Sequence, residues 1–567
     1  VHGSTNVSHE TMSFKVDAIT LAPGQSTKSV VVRDANGRVR FHERWVYTTS
    51  SQWEKAEDIV QTFTKYGQLD SRTINGRTVY EANWVGLRKQ WEKDEAGIKT
   101  TFEYDGIGRI TSTIAEGASG VAGIPSTRRS NFFYDARDRV VATETVVSGS
   151  DKLVEKQVYD AQGYLLSETD ANGLTTTYSY DFETSLYPQF LGMKKTTNFP
   201  DGTSLEAYVK QNGKTWKEIF YAADNSVLEE TLYTYENSAT APSGSSLESA
   251  NRKVRLDTSD NDAGTTDDPY IERFYDAAGN LRFEQSPTAV AGNMFQVQLS
   301  YDEETGQLIE RLETEVAEGA TSGALGLRTL TEYGNMGEVT LTGVDVSGDG
   351  SLSKESADRI EHTVERFVLD SGNVWLESTQ TVYPEDGEDN PFEITAKAQL
   401  NGLSTTTVSY EVAEDLAGNE TTTTVSVNRA SHTVTTTVND PDSDTDAVTV
   451  VQNGLTKLVT SKENLQTTFG YDQAGRQIMS KDARGIHAVS VYEIGKDRIE
   501  YSITGITASV TGTEDVSTLT AQGYTTQFAY DSTTGRLSWE KNPDGKYTRF
   551  SYEDRGQVEY QWGEATY

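Results

Sequence analysis

Phe528-Ala529-Tyr530-Asp531, followed by Thr534-Gly535-Arg536-Leu537, is written again as Phe550-Ser551-Tyr552-Glu553-Asp554, followed by Arg555-Gly556-Gln557-Val558. The two tyrosines stand 552 − 530 = 22 residues apart, with the turn formers Asn542-Pro543-Asp544-Gly545 between them. Phe528 and Tyr530 are two residues apart, as are Phe550 and Tyr552, so on a strand each pair shares a face. The Asp-to-Gly segment supplies the reversal: glycine accepts positive φ, and aspartate bonds to the backbone beyond it. Each unit reads as strand, tight turn, strand, a β-hairpin with an aromatic anchor.

Working outward, the unit recurs at Tyr104-Asp105 with Gly108-Arg109, Tyr134-Asp135 with Asp138-Arg139, Tyr159-Asp160 with Gly163-Tyr164, and Tyr180-Asp181. These tyrosines are 30, 25 and 21 residues apart, so the period is loose and insertions fall between units. Further copies are Tyr275-Asp276 with Gly279-Asn280, Tyr301-Asp302 with Gly306-Gln307, and Tyr471-Asp472 with Gly475-Arg476. Weaker forms appear at Asp34-Ala35-Asn36-Gly37-Arg38, Tyr333 with Gly337, Asp370 with Gly372, and Tyr492-Glu493. The threonine runs 404–408, 421–427 and 433–438 alternate as strands do. The stretch Glu54 to Tyr66 is the one helical candidate, and Met12 to Val16 is a strand candidate. The organisation read from this pattern is an irregular lead-in at 1–30, a first repeat block at 31–309, a degenerate threonine-rich block at 310–464 and a second block at 465–567. Ser/Gly/Ala-rich segments at 116–126 and 238–250 read as loops.

The composition agrees. The 567 residues include 29 tyrosines and 47 glycines, which suits hairpins stacked side by side better than one conventional core. Fifty basic against 86 acidic residues give a net charge of 50 − 86 = −36, which argues against a nucleic-acid partner. The absence of cysteine excludes disulfides, thiolate metal sites and a thiol nucleophile. No apolar run approaches the roughly 20 residues of a membrane-spanning helix. The chain begins at Val1 without an initiator Met and stops abruptly at Tyr567, which reads as part of a longer polypeptide.

The unit Tyr-Asp-x-x-Gly-Arg/Asn-Leu/Val resembles the YD repeat (RHS repeat) family, which includes bacterial Rhs proteins, wall-associated proteins, the B and C components of insecticidal toxin complexes, and the teneurins. The resemblance covers about residues 31–567 and is strongest at 100–181, 270–310 and 465–563. It implies an all-β fold, a YD-repeat hairpin strip spiralling into a curved or hollow shell. It also implies a secreted or cell-surface bacterial protein with a structural, cargo-holding or surface-interaction role. A polypeptide cargo or a cell-surface glycan would be the partner. On that reading Tyr104, Tyr134, Tyr159, Tyr180, Tyr275, Tyr301, Tyr471 and Tyr530 are structural, and Asp105, Asp135, Asp160, Asp181, Asp276, Asp302, Asp472 and Asp531 accept hydrogen bonds in turns. Toxin-type relatives end their shell in a self-cleaving Asp-Pro-x-x-Gly motif. Here the Asp-Pro pairs Asp268-Pro269 and Asp440-Pro441 do not fit it.

Local chemistry is sparse. Asp345, Ser347, Asp349, Gly350 and Ser351 follow the opening of a calcium loop, with Leu352 at the apolar position. Position twelve is Ser356, however, and Glu355 falls at eleven. Calcium is therefore the one cofactor expectation, set against a plain acidic loop. The acidic clusters Asp257 to Asp268 and Asp440 to Asp446 read as solvated loops. No Gly-x-Ser-x-Gly elbow, His-Glu-x-x-His or phosphate-binding loop occurs, and the six histidines are scattered singly. No catalytic residue is assigned. Carbohydrate binding or cleavage, with Trp84, Trp91, Trp375 or Trp562 stacking on sugars, is one alternative, and adhesion is another.

Overall fold

The computed structural model describes residues 7–565 apart from 14–15, 18–19, 22, 183–191, 240–248, 258–269, 289, 291, 318–325, 335–336, 384–390, 401–402, 411–418, 441–444 and 554–555. The structure is 63% strand and 1% helix, and among the described residues helix is confined to Val516–Thr520. Forty-one strands form one antiparallel sheet in which each strand pairs with its neighbours in sequence. The first strand, Val7–Ser13, pairs with Ser26–Arg33 across a two-stranded ribbon of Val16–Asp17 and Thr20–Leu21. The sheet crosses all four sequence blocks without a break; the threonine runs lie in Ser404–Tyr410, Asn419–Asn428 and Thr433–Asn439.

One expectation is corrected. Glu54 to Tyr66 is not helical: Trp53–Phe63 is a strand, paired with Val39–Tyr47 on one side and Leu69–Ile74 on the other. Two neighbouring hairpin strands capture its backbone, and that tertiary pairing overrides local propensity. The helix lies instead at Val516–Thr520, in a long connection where Leu519 packs on Val489, Ile503, Ile506 and Val510.

The repeat tyrosine sits at a register shift in hairpin after hairpin. Tyr104 pairs with Ile110, Tyr134 with Val140, Tyr159 with Leu165, Tyr275 with Leu281 and Tyr471 with Gln477, each with a β-bulge just before the tyrosine. In the Tyr104 hairpin the Gly108 N–H bonds to the Asp105 carbonyl, and the Asp105 N–H to the Arg109 carbonyl. Gly108 has φ +101°, the left-handed residue that such a bulged turn requires. Bulges increase local twist, so one per hairpin curls the strip.

The curl brings the strip back upon itself. Hydrogen bonds join residues 318 to 351 apart in sequence, from Thr49 with Phe367 to Thr78 with Arg429. Successive windings thus lap edge to edge, with Val46, Ala56 and Phe367 packed across the junction. The accessible surface is 31425 Å², whereas a compact monomer of this mass exposes roughly 20,000 Å². The excess is the mark of a wall: only small, separate apolar clusters are buried, and most side chains stand on one or other open face.

Candidate functional site: the turn rim and the winding seam

The repeat turns after Tyr104, Tyr134 and Tyr471 are each closed by their own aspartate. Asp105 Oδ1 accepts the amides of Ile107, Gly108 and Arg109, and Oδ2 accepts Arg109 Nε at 2.7 Å. Asp135 with Arg139 and Asp472 with Arg476 repeat the arrangement, again at 2.7 Å. Burial works to raise the Asp105 carboxyl, but the Arg109 guanidinium and the turn amides outweigh it and hold it at about 2. In Glu493 the longer carboxylate does the same job, and the bond from Arg498 lowers its pKa.

The arginine then reaches the next hairpin. Arg109 Nη1 donates to the Asp135 carbonyl at 3.1 Å and to Asp138 Oδ1 at 2.8 Å, while its guanidinium lies 4.8 Å over the Tyr134 ring. Tyr134 O–H donates back to the Ile110 carbonyl, directly after that arginine, at 2.6 Å. Arg139 covers Tyr159 at 4.5 Å, Arg476 covers Tyr492 at 4.1 Å, and Arg498 covers Tyr530 at 4.8 Å. Tyr530, Tyr552 and Tyr333 bond to the carbonyls of Ile499, Leu537 and Leu308. At Tyr134, Tyr492, Tyr530 and Tyr552 the clasp combines a cation–π contact of about 0.5–1 kcal/mol with a hydrogen bond of about 1 kcal/mol, whereas Tyr159 bonds to Gln157 instead. Where the arginine is replaced, another group fills in. Tyr164 stacks on Tyr180 at 4.8 Å, and Gln307 donates to the Gly337 carbonyl. Asp276 and Asp302 cap their turns through the amides of Ala278 and Glu304, and Arg282 covers Tyr301 at 5.5 Å. The repeat residues named from sequence at 104–105, 134–135, 159–160, 275–276, 301–302, 471–472 and 530–531 therefore line one rim, whereas Asp181 ends a strand and pairs with Lys194. The arginine partner stands in the repeat pattern, but its target on the next hairpin is not visible there.

The seam joins Lys496 and Arg536, from repeat turns, with Arg429, His432 and Asn453, which stand outside the Tyr-Asp units. Arg429 Nη1 donates to the carbonyls of Thr78, Asp94 and Glu95, and Nη2 to Glu81. The Asn453 side chain accepts the Ala118 amide and donates to the Ala118 and Pro125 carbonyls. Lys496 bonds to the Asn172 carbonyl and Arg536 to Asp201. His432 Nδ1 meets the Ala96 carbonyl at 3.2 Å. Nothing one-dimensional marks these pairs, because each partner lies more than three hundred residues away.

The Asp345 loop caps itself. Asp345 Oδ1 accepts Ser347 Oγ and the Gly348 amide, and Oδ2 accepts the Gly350 amide and Arg328. Asp358 accepts the amides of Val346, Ser347 and Ser353; burial opposes ionisation, but these bonds hold the carboxyl at about 2. Asp349 turns outward to Ser351, and Glu355 is exposed, its amide bonded to Ser353. Among the described residues no three His, Cys, Asp or Glu side chains converge on a common metal position. Residues 258–269 and 441–444, most of the other two acidic clusters, lie outside the described residues, as does Asp268-Pro269.

On the sheet face a recess of about 510 Å³ is lined by Phe132, Thr143, Glu155, Glu168 and Leu174 among others. Tyr178, its hydroxyl buried and bonded to Glu168, is pushed up to about 12 and stays protonated. No helix among the described residues is long and apolar enough to cross a membrane.

No family model and no curated protein matches the chain. Solved structures do. A crystal structure of TcdB2-TccC3-TEV aligns with 99% of this chain and 36% of its own, at 13% identity and TM-score 0.29. One of TcdB2-TccC3-Cdc42 aligns over 96% and 35%, at 13% identity and TM-score 0.30. The Tc holotoxin pore of Photorhabdus luminescens aligns over 98% and 35%, at 13% identity and TM-score 0.27. The chain thus spans about a third of the length of these structures.

Proposed function

We propose that this chain is a YD-repeat scaffold: part of an extracellular encapsulating wall whose inner face holds or screens a polypeptide. The observation that carries the reading is the surface excess, 31425 Å² against roughly 20,000 Å² for a compact protein, on a strip that laps over itself. A wall of this kind separates two spaces, and its polar, hydroxyl-rich faces need no dry core between them. Small-angle scattering tests it. A compact chain of this length has a radius of gyration of about 24 Å; a curved wall must exceed that, with scattering density depleted at the centre. A value at the compact figure would end the proposal.

A second reading rests on the last three strands. Trp539 is in register with Arg549, and Arg549 with Trp562, so the three cross one face in a row. Trp562 and Tyr560 are more than half exposed and stacked at 24°. Flat aromatic rings beside a guanidinium suit a sugar ring that carries a carboxylate. Titration with an acidic polysaccharide should change tryptophan fluorescence, and Trp562→Ala should abolish the change.

A further inference from the structure

The strands Leu537–Lys541, Tyr547–Tyr552 and Val558–Ala565 present a ring, a cation and a ring in one cross-strand row. Trp539 stands opposite Arg549, and Arg549 opposite Trp562. Neighbouring strands lie about 4.8 Å apart, so the two indoles are held about 10 Å apart with the guanidinium position midway. One strand spacing is close to the rise of one sugar along an extended β-linked glycan. A glycan crossing these strands therefore sets successive sugars over Trp539, Arg549 and Trp562. Beyond Trp539 the row stops: the residue opposite it on the other side is Ala529.

The three positions differ in what they accept. The face of an aromatic ring is the negative side of its quadrupole, so it attracts positive groups and disfavours a carboxylate. Trp539 and Trp562 therefore select neutral sugars. Arg549 is exposed and carries the fork of N–H donors that fits a carboxylate. Alternate residues of a strand point to opposite faces, which puts Glu540 and Glu559 on the reverse side of the sheet from this row. Lys541 shares the face of Trp539 but lies 5.4 Å over the Tyr547 ring, and Tyr547 meets Trp539 edge-on at 5.2 Å, so this group walls one side of the row. Tyr560, stacked with Trp562, widens the platform at the other end.

We propose, resting on the sugar-binding reading of this face, that its ligand is an alternating glycan in which a sugar bearing a carboxylate lies between two neutral sugars. Ring, cation and ring match neutral, acidic and neutral sugar in order and in spacing. A polyuronate, with a carboxylate on every sugar, would set two of them over indole faces whenever a third meets Arg549.

Fluorescence titration of the full chain with two β-linked oligosaccharides of equal length tests it: hyaluronan, with a carboxylate on every second sugar, and oligomannuronate, with one on every sugar. Hyaluronan should bind about tenfold tighter at the same ionic strength, although oligomannuronate carries twice the charge. Hyaluronan whose carboxylates have been reduced to alcohols should lose about tenfold in affinity. Arg549→Gln should lose the same on native hyaluronan and become indifferent to that reduction. Arg549 is exposed, and unchanged circular dichroism and melting would show that the variant is folded. Equal binding of the two oligosaccharides, or tighter binding of oligomannuronate, overturns the alternating pattern and leaves the acidic-sugar reading standing. Binding of neither removes both. An Arg549→Gln variant that still distinguishes native from reduced hyaluronan also overturns the proposal, because the carboxylate would then be read elsewhere.

Discussion

The turns at 105–109 and 472–476 share their Asp, Gly and Arg and the same Asp–Arg ion pair at 2.7 Å, yet they occupy different surroundings. Arg109 and Asp105 retain 27% and 21% of their side-chain exposure on the open rim, whereas Arg476 and Asp472 retain 12% and 9%. The difference comes from the other winding. Arg128 of the first winding lies within 3.8 Å of where a Cβ on Gly475 would stand, and the Gln473 amide bonds to the Val147 carbonyl. At the 105–109 turn, the nearest group to Gly108 is Arg88 of the neighbouring hairpin. One motif therefore serves two purposes. It clasps one hairpin to the next at turns such as 105–109 and 472–476, and where the strip overlaps it also becomes one lip of the seam.

That contrast can be broken in order of expected effect. Asp472→Ala strands the amides of Ala474 and Arg476 and unpairs a nearly buried guanidinium, so it should destabilise by roughly 2–4 kcal/mol in denaturant unfolding. Asp105→Ala should lower the midpoint by visibly less, because water reaches the groups it frees; equal losses would show that the seam adds nothing to the motif. Next, Asn453→Gly preserves the positive φ of 52° while deleting the bonds to Ala118 and Pro125. It should cost about 2 kcal/mol and raise amide exchange at 117–126 and 453–454 before the rest of the sheet.

Tyr134→Phe removes only the bond to the Ile110 carbonyl and leaves the ring under Arg109, so a loss of about 1 kcal/mol is expected. A loss near zero would leave the stacking alone as the clasp. Acid should act through the capped carboxylates. Asp105 and Asp358 are held at about 2 against an ordinary 3.8, so their contribution is present above about pH 4 and disappears as pH falls towards 2. Asp358→Asn should flatten that part of a melting-temperature profile. The smallest effect is expected from calcium. Asp345 and Asp358 already spend their oxygens on loop amides, so millimolar calcium or a chelator should leave the melting temperature within about 1 °C. A larger rise would show that Asp349 and Glu355 swing inward to complete a site.

The hairpin content was legible because its chemistry is local. Tyr104, Asp105 and Gly108 lie within five residues and specify the bulged turn by themselves. The Glu54 to Tyr66 segment misled because an acidic, alanine-containing stretch suits either element until Val39–Tyr47 and Leu69–Ile74 are beside it. Arg109 was visible as part of the pattern, but its target ring, Tyr134, is on the following hairpin and needs the bulge register to be identified.

The sequence by itself determined a train of capped hairpins, since the bonds that close a turn run between residues two to five positions apart. Which turns stand open and which are gripped by Arg128, Asn172 or Asp201 was decided only by the tertiary structure. Curvature accumulates a little at each bulge, and only the sum over more than three hundred residues fixes where the strip meets itself.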